Sequence, residues 1–116
     1  MAIDSEAHRL LVAFRSPPTL MAFSSQDGSI IAKSEICGDA DDVFVDPQRR
    51  RVYVSCGEGM IDVLEQDGAG YRRHTQIPTV SGARTSLFVP ELDRLFVAVR
   101  AGWSEPAAIW VFHPAP

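Results

Sequence analysis

Short apolar runs alternate with turn-forming residues along the whole chain, and none carries the three-to-four-residue spacing of an amphipathic helix. The pattern predicts strands at residues 9–14, 19–23, 30–36, 40–45, 51–56, 60–64, 71–77, 85–89, 94–99 and 109–112. Residues 9–14 alternate poorly but are rich in large apolar side chains, as expected for an inner strand covered on both faces by flanking sheets. Two Asp-Gly pairs, Asp27-Gly28 and Asp67-Gly68, predict tight hairpins, since both residue types tolerate positive φ.

The strands repeat. Ile3-Asp4 leads to Arg9-Leu10-Leu11-Val12, Val45-Asp46 to Arg51-Val52-Tyr53-Val54, and Val89-Pro90 to Arg94-Leu95-Phe96-Val97. The arginines at 9, 51 and 94 give spacings of 42 and 43 residues. The tripeptide Gln-Asp-Gly at 26 and 66 supports the same repeat independently. A period of this size built from short strands predicts β-propeller blades. The expected fold is all-β: one partial propeller segment over residues 1–116, with units at about 1–39, 40–80 and 81–116. Counting residues 1–4 as the tail of a first strand, eleven strands make about 2.75 four-stranded antiparallel blades. Such an arc leaves apolar end faces and a bare strand edge, so self-association or further blades are expected to complete the ring. Two copies would supply 22 strands against the 24 of six blades, and three would supply 33 against the 32 of eight.

The 116 residues are 46% hydrophobic, enough for a core, and the formal charge of −4 argues against a nucleic-acid or anionic-membrane partner. The basic cluster Arg49-Arg50-Arg51 reads as a solvated turn. No run is long enough to span a membrane, and the early Asp4 and Glu6 do not fit a signal peptide. Cys37 and Cys56 are expected as free, partly buried thiols, because their strands belong to neighbouring blades; a disulfide would need Cα atoms within about 7 Å.

The stretch Val43-Phe44-Val45-Asp46-Pro47, continuing through Arg50-Arg51-Val52-Tyr53-Val54-Ser55 into Ile61-Asp62-Val63-Leu64, resembles the YVTN-type repeat of bacterial seven-bladed propellers of the surface-layer and quinoprotein-like group. The ending Ile109-Trp110-Val111-Phe112-His113-Pro114 resembles the C-terminal third of such proteins. The resemblance implies a propeller, and a periplasmic or secreted location for many members, without implying a reaction.

In a propeller, the connections around one end of the channel usually carry the ligand site. Here that end predicts residues 15–18, 38–42, 56–59, 81–85 and 100–106, with Asp41, Asp42, Glu58, Arg84, Thr85 and Trp103 as candidate ligand-binding residues. Asp39, Asp41 and Asp42 could bind a hard cation or place a base, or satisfy backbone donors at a strand start. Arg84 is expected to pair with Asp41 or Asp42 across the blade interface, or to bind an anion. Trp110 is read as packing and Trp103 as a surface contact. His8, His74 and His113 lie outside this end, which argues against cysteine or serine catalysis. The favoured expectation is a non-enzymatic scaffold that binds a ligand or protein. No catalytic residue, metal or cofactor is assigned. The alternatives are a lactonase-like hydrolase holding a divalent metal on Asp41, Asp42 and Glu58, or a remnant of a longer propeller.

Overall fold

A computed structural model describes residues 1–116 as eleven strands in three antiparallel sheets, with no helix. The first sheet holds β1 (Ala2–Asp4), β2 (Arg9–Arg15), β3 (Pro18–Ser24) and β4 (Ile30–Glu35); the second holds β5 (Ala40–Asp46), β6 (Arg51–Cys56), β7 (Met60–Asp67) and β8 (Gly70–Pro78). The third holds β9 (Ser86–Val89), β10 (Arg94–Val99) and β11 (Ala108–Phe112). Each sheet is a meander in chain order, and the sheets stack face to face as the blades of a partial β-propeller.

Two apolar layers hold the stack. Leu11, Leu20, Ala22 and Ile36 pack on Val43, Val52, Val54 and Leu64 between the first and second sheets. Tyr53, Ile61 and Val63 pack on Phe88, Leu95, Val97 and Val99 between the second and third. Strand β6 contributes to both layers, and all six of its residues are buried. The apolar run in β2 has a different cause from the one expected. Leu11 is covered by the second sheet, whereas Leu10 and Val12 on the opposite face are only partly covered and Phe14 is exposed. Nothing packs on that side of the first sheet.

The repeat extends to backbone conformation. His8, Arg50 and Asp93, each just before a repeat arginine, have φ of 54°, 56° and 53°. The left-handed residue turns the chain from the first strand of each sheet into the second. In the first two units an aspartate secures that turn: Asp4 Oδ1 accepts from Ala7 N at 3.2 Å, and Asp46 Oδ1 from Arg49 N at 3.3 Å. Pro90 replaces the aspartate in the third, where its carbonyl accepts from Asp93 N at 3.1 Å. In the Asp-Gly turns only the glycines take positive φ, 77° at Gly28 and 63° at Gly68. Asp27 instead organises its turn through its carboxylate, which accepts from Ser29 N at 2.9 Å and Ser29 Oγ at 2.7 Å.

The cysteines correct the expectation of free thiols: Cys37 and Cys56 form a disulfide, with Cα atoms 5.9 Å apart. Cys37 is not part of a strand. It lies on the crossover from the outer edge of the first sheet to β5, and that crossover passes the end of β6, where Ala40 pairs with Cys56. Membership of neighbouring blades does not keep the two residues apart, because this return path carries Cys37 to the second sheet.

The arginine cluster is also corrected. Only Arg50 is a solvated turn residue; the side chains of Arg49 and Arg51 are 13% and 10% exposed and bind acceptors from the third unit.

Candidate functional site

The connections at one end of the sheets converge on the crossover at Gly38-Asp39. Gly57 N donates to Asp39 O at 2.7 Å, Glu58 N to Gly38 O at 3.3 Å, and Gly82 N to Gly57 O at 2.6 Å. Loops from the second and third units are thereby bonded backbone to backbone. Asp39 adopts φ of 59°, and its side chain stands against the Cα of Gly57, where a Cβ would collide with the carboxylate. Glycine at 57 is therefore required by close approach.

Asp39 links all three units. Its Oδ1 lies 3.5 Å from Arg15 Nε of the first sheet, and its Oδ2 accepts from Arg84 Nη1, ahead of the third, at 3.1 Å. Arg15 also donates to Ala40 O at 3.0 Å and to Asp41 Oδ1 at 3.0 Å. A β-bulge between Ala40 and Asp42 sends the adjacent carboxylates to different neighbours. Asp41 turns to Arg15, and Asp42 Oδ2 accepts from Ser86 N at 2.8 Å.

Two expectations change here. Arg84 pairs across the interface with Asp39, not with Asp41 or Asp42, because the bulge has already committed those two carboxylates. Nor do Asp41, Asp42 and Glu58 converge: the Glu58 carboxylate lies over Gly38, and no group of three acidic, histidine or cysteine side chains is placed to hold a metal ion. Thr85 is exposed beside Arg84.

Trp103 is fully exposed on the loop of residues 100–107 joining β10 to β11, which is closed by Gly102 N donating to Glu105 O at 2.9 Å. An open cleft of about 500 Å³ lies beneath, lined among others by Val80, Val99, Arg100, Glu105 and Trp110. Trp110 is half-buried and packs against the second apolar layer, as its strand position suggested. Arg15 and Arg100 were missed as candidates, and Asp39 was read as one carboxylate of an acidic run and not as the brace between units. A signal for the arginines existed: positions 15, 57 and 100 are equivalent in the repeat, so arginine recurs in the outer units while the middle one carries the glycine that admits Asp39.

A second polar network lies near the turns that follow β5 and β9. Asp46 Oδ2 accepts from the buried Tyr53 hydroxyl at 2.6 Å and from Arg49 Nη1 at 3.0 Å. Arg49 also meets Asp93 with two parallel bonds, and His113 Nε2 lies 3.1 Å from Asp93 Oδ2. Burial and the Asp46 carboxylate push the Tyr53 phenol well above its ordinary value. Hydrogen bonding from Arg49, with a smaller part from His113, pulls Asp93 down to about 2. Asp93 raises Arg49 in turn, so this cation stays charged.

These sheets and their bracing define a propeller-class segment. No family model and no curated protein matches the chain. A chain in the crystal structure of the mitotic checkpoint complex is similar in fold, with a TM-score of 0.74 at 12% identity, over 92% of this chain and 33% of that one. The likeness establishes the propeller fold, and this chain spans about a third of its neighbour's length.

Proposed function

We infer that the chain is a non-enzymatic propeller module that binds protein segments at the braced loop end, through Trp103 together with Asp41, Asp42, Glu58, Arg84 and Thr85. The observation that carries this is a fully exposed tryptophan on a loop beside an end whose neighbouring connections are cross-linked by Asp39, Arg15 and Arg84. A large aromatic side chain left in water has its contact area available for a partner, and tryptophan is enriched among residues that dominate binding energy. The adjoining cleft is wide and open, which suits a loop or extended peptide better than a small molecule that must be enclosed. The neighbour's place in a complex accords with that use of the fold.

Peptides selected from a random display library against the wild-type chain test this reading. They are expected to lose about tenfold or more in affinity for Trp103→Ala, the loss typical of a hot-spot side chain. Peptides that bind Trp103→Ala as tightly as wild type would overturn it.

A further inference from the structure

The two built interfaces share one register. In the second sheet, Arg51, Tyr53, Ser55, Ile61 and Val63 face the third sheet and are buried there. The equivalent residues of the third sheet are Arg94, Phe96, Ala98, Ile109 and Val111: Phe96 pairs with Val111 as Tyr53 pairs with Val63, and Ala98 with Ile109 as Ser55 with Ile61. This face is apolar and uncovered, with Leu87, Ile109 and Val111 each more than half exposed. At the other end of the stack, Leu10, Val12 and Phe14 occupy the positions of Val52, Val54 and Cys56, which pack on the first sheet. They form, with Ile3 and Ile30, a second uncovered apolar face. Each open face thus has the pattern that its counterpart buries inside the molecule.

The repeat arginines mark the direction of stacking. Arg9 donates to Ala69 O at 2.9 Å and Tyr71 Oη at 3.1 Å, near the outer hairpin of the second sheet. Arg51 donates to Ala115 O at 2.6 Å and Pro116 O at 3.2 Å, beyond β11 of the third. Each reaches forward to the next unit and is buried in doing so. No sheet of this structure packs in front of Arg94. It folds back onto its own turn, donating to Leu92 O at 3.4 Å and Asp93 O at 2.9 Å, and stays partly exposed.

We propose that the forward face of the third sheet docks head-to-tail on the open face of the first sheet of a second copy, with Arg94 turning outward onto that copy's Gln26-Asp27-Gly28 hairpin. This hairpin repeats Gln66-Asp67-Gly68, the turn beside which Arg9 binds, and it offers the exposed Asp27 carboxylate to the cation. Two such contacts related by a two-fold axis close a ring of six sheets. Three copies would bring nine, outside the roughly four to eight blades of known rings. The proposal rests on the propeller-module reading and names its partner.

Sedimentation and light scattering are expected to give twice the 12.7 kDa chain mass, with no larger species. Ile109→Asp with Val111→Asp is expected to yield a monomer, folded by circular dichroism. Arg94→Glu is expected to weaken association about tenfold or more, and adding Asp27→Arg to the same chain to restore it, as for close interfacial charge pairs. A wild-type monomer, an open polymer, or a dimer whose charge reversal shows no rescue would each overturn the proposal. The Trp103→Ala comparison, repeated in the monomeric variant, reports on the binding reading separately.

Discussion

Arg49 of the second unit and Asp93 of the third meet fork to fork, with nitrogen–oxygen distances of 2.7 and 2.8 Å. Two parallel charge-assisted bonds fix the relative position of the β5–β6 and β9–β10 turns. Because Asp93 is held at about 2, below its ordinary value of 3.8, its ionised form favours the folded state. That contribution is complete above about pH 4 and is lost as pH falls through the folded value. Asp93→Asn is therefore expected to melt below wild type at neutral pH, with the gap narrowing toward pH 2. Melting curves of both proteins across this range are the check, and a gap that stays constant would remove the ion pair from the account.

The Cys37–Cys56 bond closes a chain separation of 19 residues and ties the crossover to the buried end of β6. A loop of that length corresponds to about 3 kcal/mol of restricted unfolded-chain freedom. The double variant Cys37→Ser, Cys56→Ser is expected to lose an amount of that order in urea unfolding, and excess reductant should lower wild type in the same direction. With both cysteines buried, reduction should proceed through opening of the fold, so its rate should rise with urea before the unfolding transition.

Gly57 and Gly38 face opposite outcomes. A methyl group at 57 would strike the Asp39 carboxylate, which is held by Arg15 and Arg84, whereas one at 38 meets only the tip of the exposed Glu58 side chain. Gly57→Ala is expected to cost about 1–3 kcal/mol, the range for overpacking a fixed site. Gly38→Ala should be nearly neutral in comparison. A double-mutant cycle with Asp39→Ala locates the cause: the Gly57→Ala cost should shrink once the carboxylate is gone.

The strands, their number and the propeller repeat were legible because apolar runs and turn residues are local signals. Arg51 to Cys56 reads as a strand of the second unit and is one, covered on both faces. Residues 9–14 carry the same signal, yet only one face of β2 is covered, since composition reports what a strand can bury and not whether a neighbour is there. The site was legible as a set of loops and not as a set of pairs. Arg84 meets Asp39 because a one-residue bulge re-aims Asp41 and Asp42, and spacing along the chain does not reveal a bulge. The disulfide escaped for a related reason, since the crossover from β4 to β5 carries Cys37 over the end of a strand in another unit.

Asp62 joins the crossover to the outer half of the second sheet. Fully buried on β7, its carboxylate accepts from Cys37 N at 2.8 Å, Arg73 Nη2 at 3.0 Å and Gln76 Nε2 at 2.8 Å. Removal would leave the Cys37 amide buried without an acceptor, while Arg73, which is 42% exposed, can turn to water. The orphaned amide sets most of the cost, about 1–3 kcal/mol for Asp62→Ala. The effect should be local as well as global: amide exchange at Cys37 and along β8 should accelerate more than exchange in β10, which Asp62 does not touch. Uniform acceleration across the three sheets would mean that Asp62 acts through global stability alone and does not pin the crossover.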